Sequence, residues 1–181
     1  MVIDSAHCLL NIQWRESEHC DVPQINIGCN TGQQGVYQCE LIVLHCVSLP
    51  AGEFGSGLPS QLFTGTLDIG AHESFASLAG VRVAPHLFID RDGVVEQFVP
   101  FDRPAWHAGE SQWMNRQGCN RFSLGIELEG TWESPFAEAQ YEALLEVCTA
   151  LCQRYPSLAP NAIVGHQEIA PGRKQDPGPY F

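Results

Sequence analysis

Leu41-Ile42-Val43-Leu44-His45-Cys46-Val47 carries no acid or base other than its histidine, and Pro50 closes it. A continuous apolar run of this length suits a buried strand rather than the half-exposed kind, which alternates polar and apolar residues. Such a strand needs neighbours on its edges and cover on its faces. The flanking sequence is read for both.

Downstream, Ala51 to Asp68 reads as a loop, with Gly and Pro punctuation around a short apolar patch at Leu62-Phe63. Ala71 to Ala79 suits a short helix stopped by Gly80. His86–Asp90 and Val94–Val99 read as two strands joined by the turn Arg91-Asp92-Gly93. A long loop holding Trp106-His107-Ala108-Gly109 then leads to a strand over Ser123–Gly130. Pro135 to Tyr155 predicts a helix capped by Ser134, with Pro135 in its first turn and Glu138 near its positive end. Tyr141, Leu144, Leu145, Cys148, Leu151, Cys152 and Tyr155 follow helical spacing and form its expected buried face; Pro156 ends it. A last strand, Ala162–His166, delivers His166 at its C-terminal edge. Residues 1–38 read as an irregular arm before a core of 39–181. The whole is one α+β domain of 181 residues, a central mixed sheet flanked by helices.

The formal net charge of −12 argues against nucleic acid or an anionic membrane as the main partner. No apolar run reaches the ~18 residues of a membrane span. The eight cysteines are scattered without a C-x-x-C pair, which argues against a zinc ribbon. The opening M-V-I-D-S-A-H-C lacks the basic and apolar regions of a signal peptide. Reduced thiols in a cytoplasm are the expected state.

Chemistry concentrates in G-H-Q-E-I-A-P-G-R-K-Q-D-P-G-P, residues 165–179. Lys174 is the chain's single lysine and lies between His166 and Asp176. His45 and His166 both end apolar strands, so paired strands would bring two imidazoles together, and Asp176 could fold back as a third ligand. Three protein ligands with one open position is the pattern of a catalytic Zn²⁺. Each histidine reads equally well as a core residue satisfied by hydrogen bonds. Glu127 shares a strand face with Glu129; burial would raise its pKa and suit it to acid–base work, whereas a wet sheet face would leave it an ordinary surface acid. Lys174 fits either an oxyanion partner or a solvated lysine. Trp106, in a Pro- and Gly-bounded loop, suits a stacking platform. Arg82, Arg103, Arg116 and Arg121 are the cations available for substrate carboxylates, or are simply solvated. His72 and His86 read as structural; His7 and His19 receive no role.

Taken in order, V-L-H-C-V-S-L-P-A-G-E-F-G, L-F-T-G-T-L-D, V-P-F-D-R-P-A-W-H-A-G, F-S-L-G-I-E-L-E-G and the 165–179 segment resemble the N-acetylmuramoyl-L-alanine amidase and peptidoglycan recognition protein family. Within it they are similar to the cytoplasmic amidases that act on 1,6-anhydro-muropeptides in cell-wall recycling. The similarity runs from about residue 10 to the C-terminus. It implies one Zn²⁺ per chain held by His45, His166 and Asp176, Glu127 as catalytic carboxylate, and Lys174 as transition-state cation. It further implies that Trp106 and Arg82 help hold the anhydro-sugar and peptide, with Cys46 and Arg116 also on the substrate side. Cys46 stands where the family has asparagine. R-Q-G-C-N keeps Arg116 but has Gly118 in place of a second arginine, for which Arg121 is the nearby substitute; the C-terminal tail after the motif is short, ending at Phe181. Action on intact, non-anhydro peptidoglycan and mere muropeptide binding are the alternative readings.

Overall fold

The computed structural model describes residues 1–21 and 39–181. Its strands are β1 (Gln13–Trp14), β2 (Leu41–Val47), β3 (Leu87–Ile89), β4 (Val95–Gln97), β5 (Gln112–Trp113), β6 (Arg116–Gln117), β7 (Ser123–Glu129) and β8 (Ile163–Gly165). Six of them form one sheet in the order β1-β4-β3-β7-β2-β8, while β5 and β6 make a separate small hairpin. Every pairing in the large sheet is parallel except the β3–β4 hairpin. The sheet is thus mixed, in a single α+β domain, as expected.

β2 lies between β7 and β8, which explains its unbroken apolar sequence: both edges and both faces are covered. Alternation along the strands separates two layers. Ile42, Leu44, Leu87, Ile89, Leu124, Ile126 and Leu128 pack with Leu144, Val147 and Leu151 of the helix α2 (Glu138–Arg154). Leu41 and Val43 join the opposite layer with Ala108, Phe122 and Val164. His45 and Glu127 belong to that second face and sit opposite each other in register.

The β3–β4 turn needs glycine. Asp90 Oδ1 accepts the backbone N–H groups of Asp92 and Val94, and Gly93 adopts φ 80°. A Cβ on Gly93 would also come within 2.7 Å of the Ala139 carbonyl oxygen.

Several expectations need correction. The long helix starts at Glu138, not Pro135: Ala137 is its cap residue, and Ser134 Oγ bonds Thr131 Oγ1 at 2.9 Å instead of capping. Its buried stripe is Gln140, Ala143, Leu144, Val147, Ala150 and Leu151, leaving Leu145 69% exposed. Gln140 sets this rotation, because its amide donates to the Ile89 and Glu129 carbonyls at 3.1 and 3.0 Å. One polar anchor therefore outweighs the strongest apolar spacing.

The loop over 51–68 contains a helix, α1 (Leu58–Phe63), with Pro59 in its first turn and Leu62 and Phe63 buried. Six residues are too few to display a helical period. The helix expected over 71–79 is two 3₁₀ segments, Ile69–Ala71 and Glu73–Leu78, with Phe75 as their single buried side chain. The last strand stops at Gly165, and His166 opens a short helix, α3 (His166–Ile169).

The first part of the supposed irregular arm is bound to the core. β1 pairs with β4, Arg15 N–H donates to the Gln97 carbonyl at 2.8 Å, and Arg15 Nε meets Glu96 Oε1 at 2.8 Å. Residues 22–38, the rest of that arm, lie outside the described residues. No helix among the described residues is long and apolar enough to cross a membrane.

Candidate metal centre and catalytic cleft

The parallel β2–β8 pairing carries His45 and His166 to the same end of the sheet. After α3 the chain turns back, and the Asp176 carbonyl accepts Gln167 N–H at 3.0 Å, which returns the Asp176 side chain to the histidines. His45 Nδ1 and His166 Nδ1 are 2.9 Å apart, and Asp176 Oδ2 lies 3.1 and 3.0 Å from them. The two imidazoles are 1% and 2% exposed, and Asp176 is 9% exposed.

These three atoms form a group able to hold a metal ion. Two imidazoles and a carboxylate are borderline-soft donors suited to Zn²⁺, whose tetrahedral ligand atoms lie about 3.3 Å from one another at the usual ~2.0–2.1 Å bond lengths. The outer nitrogens are engaged elsewhere: His166 Nε2 meets the Ala108 carbonyl at 3.1 Å and His45 Nε2 meets His107 Nδ1 at 3.0 Å. Burial pushes the His45 imidazole down to about 4, so it is neutral and ligand-ready at pH 7. Burial alone would raise the Asp176 carboxyl, but its close contacts with His166 and His45 outweigh it and hold the group below the usual carboxylate range.

Glu127 faces the same cleft. Its Oε2 is buried and has no hydrogen-bond partner among the described residues. Burial pushes its pKa well up, the Asp176 charge adds to the rise, and Lys174 opposes it. Glu129, two residues on, acts structurally. Its carboxylate accepts Gly55 N–H at 2.6 Å and Arg91 N–H at 3.3 Å, latching the loop after β2. The two glutamates share a strand face and yet neither reads as a wet-face acid. Lys174 lines the cleft, whose volume is about 480 Å³, together with Glu127, the three metal-site residues and Trp132.

The remaining expected substrate residues are spread out. Cys46 lies in the cleft wall, but its half-buried side chain packs toward the core, with Sγ 3.9 Å from the Pro177 carbonyl and outside the metal group. Burial pushes its thiol up, against thiolate formation. The Arg82 guanidinium lies 4.9 Å over the Trp106 ring, which also stacks on His19 and donates from Nε1 to Asp21 at 3.0 Å. Neither residue lines the cleft, though Val83, beside Arg82, does. Arg116 is not brought to the cleft: it pairs with Glu40 at 2.5 Å and covers Phe122. His86 is structural as expected, with Nε2 on the Arg103 carbonyl and Nδ1 accepting Gly125 N–H.

Sequence reasoning passed over His107, Asn120 and Arg173. Asn120 Oδ1 accepts the N–H groups of both His107 and Ala108, and Arg173 donates to the Ala108 carbonyl. His107 and Asn120 lie in W-H-A-G and R-Q-G-C-N, and Arg173 beside Lys174, but their joint action depends on a loop path that spacing does not reveal.

A mixed sheet bearing two imidazoles, a carboxylate, a half-buried glutamate and one ammonium around a single cleft defines a metallohydrolase-like site. Residues 36–179 match the profile of the N-acetylmuramoyl-L-alanine amidases, and the chain belongs to that family. Over 141 residues it is 53% identical to the 1,6-anhydro-N-acetylmuramyl-L-alanine amidase AmpD of Enterobacter cloacae, covering 78% of this chain and 75% of that protein. The AmpD of Escherichia coli (strain K12) is likewise 53% identical, over 78% of this chain and 76% of that protein. A crystal structure of a Se-Met AmpD derivative superimposes with a TM-score of 0.90 at 45% identity, covering 100% of this chain and 94% of that one. The amidase AmiD of Escherichia coli, in complex with anhydro-N-acetylmuramic acid-L-Ala-D-gamma-Glu-L-Lys, gives a TM-score of 0.58 at 29% identity over 84% of this chain and 57% of that one. The family and fold expected from the motifs are the ones found.

Proposed function

We propose that this protein is a Zn²⁺-dependent amidase that cleaves the bond between the lactyl carbonyl of 1,6-anhydro-N-acetylmuramic acid and the L-alanine of the stem peptide. One observation carries the reading: His45, His166 and Asp176 converge beside a half-buried Glu127 whose Oε2 has no partner among the described residues, with Lys174 in the same cleft. The identity to AmpD proteins supports the anhydro-muropeptide as substrate and cell-wall recycling as the setting. Cys8, Cys20, Cys46, Cys119, Cys148 and Cys152 form no disulfide among the described residues, which supports a reducing cytoplasm.

His45, His166 and Asp176 would hold the ion. When bound, Zn²⁺ supplies a Lewis acid and a water of lowered pKa. Glu127 takes the proton as the water oxygen adds to the lactyl carbonyl carbon, then returns it to the alanine nitrogen as the C–N bond breaks. Its raised pKa brings it closer to the working pH for both transfers. The Lys174 ammonium offsets the negative charge that develops on the carbonyl oxygen. Cys46 in the cleft wall and the Arg82–Trp106 pair beside it are assigned to the sugar and peptide. Arg116, paired with Glu40, is left a supporting part outside the cleft.

The test is hydrolysis of an anhydro-muramyl tripeptide against its reduced, non-anhydro counterpart, followed by chromatography of the released peptide. Faster release from the anhydro substrate supports the reading. Equal or reversed rates would point to intact peptidoglycan, and no release from either would leave a muropeptide-binding domain.

A further inference from the structure

We infer that His107 is a positioning residue that sets the tautomer of His45 through a four-member hydrogen-bond relay ending on the Cys119 carbonyl. The inference rests on the metal-site reading above. His45 Nε2 lies 3.0 Å from His107 Nδ1, His107 Nε2 lies 3.2 Å from Ser123 Oγ, and Ser123 Oγ lies 2.7 Å from the Cys119 carbonyl oxygen. All three side chains are buried.

The direction of every proton in this chain follows from its last member. A carbonyl oxygen accepts only, so the Ser123 hydroxyl donates to it. The Ser123 oxygen then accepts from His107 Nε2–H, which leaves His107 Nδ1 as a bare acceptor. That nitrogen accepts from His45 Nε2–H, and the His45 lone pair is left on Nδ1, facing His166 and Asp176. A neutral imidazole has one donor and one acceptor nitrogen, so this arrangement satisfies each link from Cys119 to His45 Nε2, and it leaves His45 Nδ1, 3.1 Å from Asp176 Oδ2, as an acceptor for a cation rather than a donor to the carboxylate. His166 reaches the same tautomer directly, since its Nε2 meets the Ala108 carbonyl. Residues 107 and 108 are adjacent, and Asn120 Oδ1 accepts both of their N–H groups. One pinned loop thereby orients both imidazoles of the metal group.

The sheet is shaped for this relay. A Cβ on Gly125 of β7 would overlap the His107 imidazole, so only glycine lets that ring lie against the strand beside His45. Outer partners that fix a ligand's ring commonly change metal affinity by 10–100-fold when removed. The relay makes a stricter demand than simple packing. In Ser123→Ala, His107 Nε2–H loses its hydroxyl acceptor, and a His107 that moves its proton to Nδ1 confronts His45 donor to donor. His45 is then driven to protonate Nδ1, the atom needed for the metal, although Ser123 never touches it.

Two measurements test this. Long-range ¹H–¹⁵N spectra of the metal-free wild-type protein should show His45 protonated at Nε2; protonation at Nδ1 would overturn the relay. Zn²⁺ affinity by chelator competition should fall about 10–100-fold in both Ser123→Ala and His107→Leu. His107→Asn, whose side-chain carbonyl can replace the Nδ1 acceptor, should recover most of that loss. Folded Ser123→Ala binding Zn²⁺ as tightly as wild type would refute the inference. So would a His107→Asn no better than a folded His107→Leu. If His107→Leu does not fold, the serine variant and the wild-type spectrum still decide. A wild-type protein that binds no Zn²⁺ defeats the metal-site reading, while the His45 tautomer continues to test the relay.

Discussion

Replacing Glu127 with glutamine should stabilise the metal-free protein while removing its activity. Glu127 Oε2 is buried without a partner among the described residues, and burial together with the Asp176 charge pushes its pKa well up. A buried polar atom left unpaired costs about 1–3 kcal/mol, more if charged. For a domain of this size each kcal/mol moves Tm by about 2–4 °C, so removing the buried charge should raise Tm at neutral pH by roughly 2–12 °C. The gain must depend on pH in one direction. Because the folded-state pKa is raised, wild type carries no ionisation penalty below the unfolded value of about 4.3 and loses stability as pH rises through the folded pKa. The Tm gap between Glu127→Gln and wild type should therefore be small near pH 4 and widen toward neutrality. Thermal melts with a chelator across that range measure it, and turnover of the zinc-loaded variant should fall 10²-fold or more. A variant that melts lower than wild type at pH 7 would refute the unpaired-carboxylate account. Near-full turnover would refute the proton-transfer role.

Other outcomes follow from the same physics. Asp176→Ala should lower bound zinc well below one equivalent per chain, and a full equivalent by metal analysis would count against its ligation. Leu151→Ala should cost about 2–5 kcal/mol in urea unfolding, while Leu145→Ala, at a site 69% exposed, should stay within about 0.5 kcal/mol; similar costs would contradict the observed rotation of α2. Burial lowers the His86 pKa to about 4, so its contribution to stability is present above the unfolded value of about 6.5 and is lost as pH falls toward 4. Between pH 7 and 5 this one group should remove about 2 kcal/mol from the metal-free protein. An NMR titration finding His86 already protonated at pH 5.5 would contradict that.

The sheet is largely legible from residues alone, because β2 and β7 are buried strands whose composition admits little else. The C-terminal segment likewise gathers candidate ligands in one stretch, with His166 and Asp176 ten residues apart, although Lys174 between them reads equally as a solvated lysine. Pairing His45 with His166 cannot be derived from spacing, because it depends on β8 joining the free edge of β2. The α2 face escapes apolar periodicity for a clear reason: Gln140 is polar, and yet its two bonds to strand carbonyls set the helix rotation. The contrast between Glu127 and Glu129 is also hidden. Identical strand parity gives no warning that one carboxylate latches a loop and the other is left unpaired. The Trp106 ring is not the open platform its loop suggests, because His19 and Arg82, distant in sequence from one another, both stack on it.

The most direct test of the account is zinc content measured together with turnover of an anhydro-muramyl tripeptide, on protein purified without chelator. The expected result is about one zinc per chain, with hydrolysis abolished by chelation and restored by Zn²⁺. Protein that cleaves the tripeptide equally well after its metal is stripped, or that never takes up zinc, would contradict it.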